Sequence, residues 1–140
     1  MNRTVGRMVF TASVVLAASV WPAMATENTN LEATSTMAEM MRRLVTPASN
    51  SVFAVASEAP ASDEAWRDLE DKALMLAESA NLLLIPGYVR PDARWLQDTV
   101  MMKEAALAAF EAAKNRNVAV LEELGNTLYE SCESCHTATR

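Results

Sequence analysis

Apolar residues recur three and four positions apart in four successive stretches of the chain, and this spacing constrains its fold more than any other feature. Such spacing marks one face of an α-helix, and the alternation typical of strands is absent from the sequence. Helices joined by short connections lie antiparallel to their neighbours. We therefore predict an all-α fold, an antiparallel up-down-up-down four-helix bundle.

The second and third helices carry the clearest apolar stripes. The stripe of the second helix comprises Trp66, Leu69, Ala73, Leu76, Ala77, Ala80, Leu83 and Leu84. The stripe of the third comprises Trp95, Thr99, Met102, Ala106, Ala109 and Ala113, and is expected to be broadened by Leu96, Val100, Leu107 and Phe110. These side chains form the predicted core.

Capping signals predict where the helices begin. Thr36-x-x-Glu39 is a capping box that opens the first helix. Proline favours the first position of a helix, where its missing N–H is not needed. The remaining predicted starts, in chain order, are Thr46 with Pro47 as a restart of the first helix, Ser62 or Asp63, Pro91, and Asn117.

The N-terminus has the pattern of a secretory signal peptide. Arg3 and Arg7 precede an apolar run over residues 8–20, and a small-x-small triplet ends at Ala25. The run is too short for a comfortable membrane span. We predict cleavage after Ala25, which leaves residues 26–140 as one domain in the periplasm, with no membrane attachment.

The predicted mature chain is acidic. Residues 26–140 contain ten basic and eighteen acidic side chains, which gives ten minus eighteen, a net charge of −8. This balance argues against binding to nucleic acid or to anionic membranes. It permits docking to a basic patch on a partner protein, and it is also an ordinary way to remain soluble.

Both cysteines and the only histidine lie within the last nine residues, as Cys132-x-x-Cys135-His136. This C-x-x-C-H pattern predicts covalent attachment of one c-type haem. Two thiols three positions apart on a helix share a face, so they can add to the two vinyl groups of one porphyrin. The imidazole that follows is then the proximal iron ligand.

Three other interpretations of the motif are open. Structural zinc usually takes four Cys or His ligands, and the chain supplies three. A thioredoxin-like C-x-x-C belongs at the start of a helix after a strand, and here it falls near the end of a helix. A disulfide suits this helical spacing badly. The alternative function is therefore a haem-free zinc or thiol-redox helical protein.

The position of the motif, near the end of the last helix, resembles class II cytochromes c, the cytochrome c′ family. A basic residue at the position of Arg140, four residues after His136, is common in that family, although the aromatic residue that usually precedes it is Thr139 here. The resemblance implies haem on the last helix and Arg140 close to it, where its guanidinium could pair with a propionate or tune the proximal side of the iron. Homodimers built from the first two helices also occur in the family.

In the cytochrome c′ family the sixth position of the iron faces the first helix. The segment Glu39-Met40-Met41 looks like the ligand-bearing segment of the family's Met-ligated relatives. The resemblance therefore makes Met41 the candidate distal ligand, with Met40 and then Met37 as alternatives. Many members carry an arginine four residues before this ligand, where this chain has Met37.

These observations predict a periplasmic monohaem cytochrome c that transfers electrons to redox partner proteins by transient docking and is not an enzyme. A methionine ligand gives a low-spin electron carrier, because its sulfur completes the coordination of the iron. If no methionine binds, the alternative is a five-coordinate protein that binds NO or CO.

Overall fold

A computed structural model of the chain describes residues 31–138. This range consists of helices and their connections and contains no strand, so the predicted all-α class is confirmed for it. The predicted signal peptide and Arg140 lie outside the described residues. No helix within residues 31–138 combines the length and the apolar character that spanning a membrane requires.

The described residues form four helical rods. The first rod consists of three consecutive segments, and each of the others is a single α-helix. In chain order the elements are α1 (Met37–Met40), a π-helical segment (Met41–Val45), α2 (Thr46–Ala54), α3 (Asp63–Leu82), α4 (Ala93–Lys114) and α5 (Val118–Ala138).

Side-chain caps begin three of the rods as predicted. The N–H of Glu39 donates to Thr36 Oγ1 at 3.2 Å, and Glu39 Oε2 accepts from the Thr36 N–H at 3.3 Å, which completes the capping box. Ser62 Oγ accepts from the N–H of Ala65 at 3.1 Å at the start of α3. Asn117 Oδ1 accepts from the N–H of Val120 at 3.2 Å at the start of α5.

The predicted start of the third helix at Pro91 is wrong. Asp92 has an extended backbone, and its Oδ1 accepts from the N–H of Arg94 at 2.9 Å. Asp92 is therefore the N-cap, and α4 begins at Ala93. An aspartate cap satisfies an amide that the helix itself leaves free, so it fixes the start two residues beyond the proline.

The predicted restart of the first helix at Thr46 is also wrong. Thr46 has helical dihedral angles, and its N–H donates to the carbonyl of Met41, five residues earlier. Pro47 has no N–H, and its ring would clash with the carbonyl of Arg43 in a regular α-helix. The wider π-helical turn accommodates this proline, so the rod continues without a new cap.

Helix α4 packs against both α3 and α5, and α2 packs against α3 and α5. The predicted α3 stripe is buried from Trp66 to Leu83, with Leu84 partly buried. All six predicted stripe positions of α4 are buried. The two stripes therefore form the centre of the core.

Three residues expected to broaden the α4 stripe are not part of the core. Leu96, Val100 and Leu107 are 54%, 38% and 39% exposed, respectively. The buried face of α4 is rich in alanine, and small side chains allow close helix approach along a narrow contact strip. The flank that carries these three residues is therefore left outside the contacts with α3 and α5.

A hydrogen bond and a close contact fix the connection between α3 and α4. Trp95 Nε1 donates to the carbonyl of Leu83 at 3.1 Å, which joins the first turn of α4 to the end of α3. Gly87 lies in the turn between the two helices and adopts a φ of 95°. A Cβ at this position would lie 2.6 Å from the Cβ of Ala33, so the turn requires glycine.

The capping box gives a direct test of the first rod. Thr36→Ala removes the hydroxyl acceptor of the Glu39 N–H, and we expect it to lower the free energy of unfolding by about 1 kcal/mol. Urea unfolding followed by far-UV circular dichroism measures the change. Thr36→Ser keeps a hydroxyl and should stay close to the wild type; an equal loss in both variants would contradict the capping role.

Candidate functional site

Three of the rods and the end of α3 surround one cleft. The space inside it that water can enter is about 30 Å³, so the cleft is narrow in this structure. The first rod, the end of α3, α4 and α5 supply its lining residues: Met41, Val45, Leu83, Asp98, Thr99, Met102, Ser131, Cys132, Cys135 and His136.

The structure brings Met41 and the C-x-x-C-H residues to this same cleft. Cys132 and Cys135 are partly buried, and His136 is exposed at its edge. Met41 lies on the first rod, about ninety positions earlier in the chain, and is also partly buried. Residues about ninety positions apart in the sequence therefore line the same cleft.

The other two methionines of the first rod are placed differently. Met40 is only 2% exposed and belongs to the hydrophobic core, and it does not line the cleft. Met37 is partly buried and packs against the core. Of the three candidate ligands, only Met41 borders the C-x-x-C-H residues in this structure.

Local structure explains why these residues line the cleft. The π-helical segment begins at Met41 and ends at Val45, and both of these residues face the cleft. On α5, Cys132, Cys135 and His136 are three and four positions apart, which puts them on adjoining parts of one helix face. Leu83 is held in place by the hydrogen bond from Trp95 described above.

The thiols of Cys132 and Cys135 both have a raised pKa. Burial is the main cause of the raised pKa at Cys132, and a hydrogen bond with Ser131 opposes it. Burial also raises the pKa of Cys135, and the negative charge of Asp98 raises it further. Both thiols therefore hold their protons to a higher pH than an ordinary cysteine, which is the opposite of an activated thiolate.

Asp98 is a cleft residue that the sequence analysis did not identify. It is 4% exposed, and its Oδ2 has no hydrogen-bond partner among the described residues. One signal was present in the sequence: an acidic residue lies directly beside the inward stripe of an alanine-rich helix, next to Thr99. A carboxyl oxygen buried without a partner costs about 1–3 kcal/mol, so its retention calls for a cause.

Protein side chains alone do not form a metal site in the described part of the chain. Within residues 31–138, no group of three or more His, Cys, Asp or Glu side chains is arranged to hold a metal ion. A haem iron needs only axial ligands from the protein, because the porphyrin supplies the other four.

The chain matches no protein-family model, no curated protein and no solved structure. The class of the protein is therefore defined by its own features. It is a helical protein in which a terminal C-x-x-C-H segment, a methionine from the first rod and a buried carboxyl group share one cleft.

The raised thiol pKa predicts a particular pattern of alkylation in the haem-free chain. At pH 8, iodoacetamide should modify Cys132 and Cys135 more slowly in the folded chain than in urea, because the folded chain holds fewer thiolates. The rates in urea should level off as the pH passes above about 8.5, the ordinary pKa of a thiol, whereas the rates in the folded chain should keep increasing. Peptide mass spectrometry resolves the two sites.

Asp98→Asn provides an internal control for this measurement. The charge of Asp98 raises the pKa of Cys135 and is not among the causes at Cys132. The variant should therefore accelerate the modification of Cys135 and leave that of Cys132 close to the wild-type rate. Equal acceleration at both sites would indicate general loosening of the fold instead.

Proposed function

We propose that the protein is a monohaem c-type cytochrome that transfers electrons. Cys132 and Cys135 hold the haem covalently, His136 is the proximal ligand of the iron, and Met41 is the distal ligand. The observation that carries the proposal is the shared cleft, in which a thioether from the first rod faces the C-x-x-C-H segment of α5.

The residues present fit such a group. The two thiols border the cleft from one helix face, and the imidazole follows directly after them. Val45, Leu83 and Met102 line the cleft with apolar side chains, which suit a porphyrin, and the cleft would have to widen to admit the ring. When bound, the haem supplies a reversible one-electron couple, Fe³⁺/Fe²⁺, and methionine sulfur as an axial ligand raises its reduction potential.

The outer side of α5 supports electron exchange at the surface. Cys132 and His136 also border a second, more open depression, together with Tyr129, Glu133 and Thr137. A haem held by these residues would lie close to this open depression, where a redox partner could dock transiently. The acidic balance of the mature chain suits a partner with a basic docking surface.

One observation weighs against a thiol-redox protein. The raised pKa of both thiols reduces the thiolate that disulfide exchange requires. A gas-binding, five-coordinate protein requires that Met41 leave the iron free, and the ligand variants below distinguish it.

The remaining features of the proposal follow from the sequence. We infer that the four rods alternate in direction, as in class II cytochromes c, because short connections join α3 to α4 and α4 to α5. Cleavage after Ala25 would release the chain into the periplasm, where the haem is attached. Arg140 would lie near a propionate, and the first two helices would offer a face for a homodimer.

Covalent attachment gives the first test. Protein matured in a host with cytochrome c assembly should give the pyridine haemochrome of a c-type haem and retain haem under denaturing conditions. Replacing both thiols by Cys132→Ala and Cys135→Ala should abolish this retention, because no thioether bond can form. Ser134→Ala, between the two cysteines, is the matched control and should retain the haem.

A haem-free wild-type protein from such a host would contradict the proposal.

The distal ligand is tested by two adjacent methionines. Met41→Ala should convert a low-spin haem to a high-spin one and remove the His–Met charge-transfer band, while binding of CO to the reduced form becomes rapid. Met40→Ala should keep the low-spin spectrum, because Met40 lies in the core. It should instead lower the free energy of unfolding by about 2–5 kcal/mol.

The opposite pattern would identify Met40 as the ligand. A wild-type protein that is already high-spin would favour the five-coordinate, gas-binding function.

A further inference from the structure

Asp98 stands apart from the other acidic residues. Asp98 is only 4% exposed and lines the cleft, and its Oδ2 has no hydrogen-bond partner within residues 31–138. Neither of the two ion pairs in the described part of the chain includes it. The Arg90 guanidinium, near the start of the same helix, instead stacks over the Trp95 ring at 5.5 Å from the ring centroid.

Asp98 lines the same cleft as the haem-attachment segment. Cys135 is the residue next to the proposed iron ligand, and both line the cleft that Asp98 lines. A charge in this position acts through protein and not through water, so it is screened far less than a charge on the surface.

We propose that Asp98 sets the reduction potential of the haem by stabilising the ferric state. The inference rests on the proposed function, because it needs the haem in the cleft. The iron gains one electron from a redox partner and passes from Fe³⁺ to Fe²⁺, so the haem loses one positive charge. A buried carboxylate nearby favours the more positive, oxidised form and opposes the reduction.

This role accounts for the cost of the buried carboxyl group. In the haem-free chain the unpartnered oxygen opposes folding. A ferric haem in the cleft supplies the positive charge that the carboxylate lacks, so the burial is compensated when the cofactor is bound. Asp98 therefore also counteracts the rise in potential that a methionine ligand produces.

The test compares two aspartates in the haem-loaded full chain. Asp98→Asn removes the charge and nearly preserves the shape, and we expect the equilibrium constant for reduction to increase about tenfold, a rise of 59 mV for one electron. Asp68→Asn makes the same change at an exposed site on α3. Asp68 lies fifteen positions before Leu83, about 22 Å along the helix, and its variant should keep the wild-type potential.

Two further variants make the result decisive. Asp98→Ala should raise the potential in the same direction as Asp98→Asn, and Asp98→Glu, which keeps the charge, should change it much less. Spectroelectrochemical titration measures the potential, and the absorption spectrum verifies that the iron remains low-spin.

An unchanged potential in Asp98→Asn and Asp98→Ala would overturn the inference, and so would an equal rise in Asp98→Glu. If both uncharged variants fail to attach haem while Asp98→Glu succeeds, the carboxylate serves assembly of the site, and the inference is likewise overturned. These failures differ from failure of the proposed function, in which the wild-type protein itself carries no covalent haem.

Discussion

The close contact of α4 with both α3 and α5 is the interaction on which the site depends. Alanines at the buried positions of α4 let the two neighbouring helices approach, and Trp95 fixes its first turn to Leu83. This packing holds the C-x-x-C-H end of α5 beside the start of α4. It also buries Asp98 in the same place, because Asp98 is one turn beyond Trp95 on the packed face.

The first rod contributes the opposite wall through an irregularity in its helix. A proline in a helix interior removes one hydrogen bond and crowds the preceding turn. Here the chain responds with a π-helical turn, and the hydrogen bond from Thr46 to Met41 spans five residues. Met41 and Val45 flank this turn and face the cleft, whereas Met40, one position earlier, is packed into the core. Single π-helical turns occur often at functional sites, where they redirect side chains.

Much of the fold could be predicted from local patterns. The capping box at Thr36, the cap at Ser62 and the buried stripe of α3 depend on residues a few positions apart, and these predictions are confirmed. Where two local signals competed, the predictions were wrong. Asp92, and not Pro91, determines the start of α4, and a π-helical turn takes the place of the predicted cap at Thr46. Leu96 was expected in the core and is exposed. Periodicity shows which way a helix face points, but it does not show how wide the contact on that face is.

For the site, the sequence by itself determined the chemistry: two thiols and an imidazole at fixed spacing on one helix, together with three methionines near the start of the first. This much is local, because covalent spacing and helix geometry decide it. Only the tertiary structure decided which methionine borders that segment, and only it revealed Asp98 as a carboxyl group buried without a partner. Both depend on which helices meet and how closely they pack, and no pattern confined to one helix contains that information.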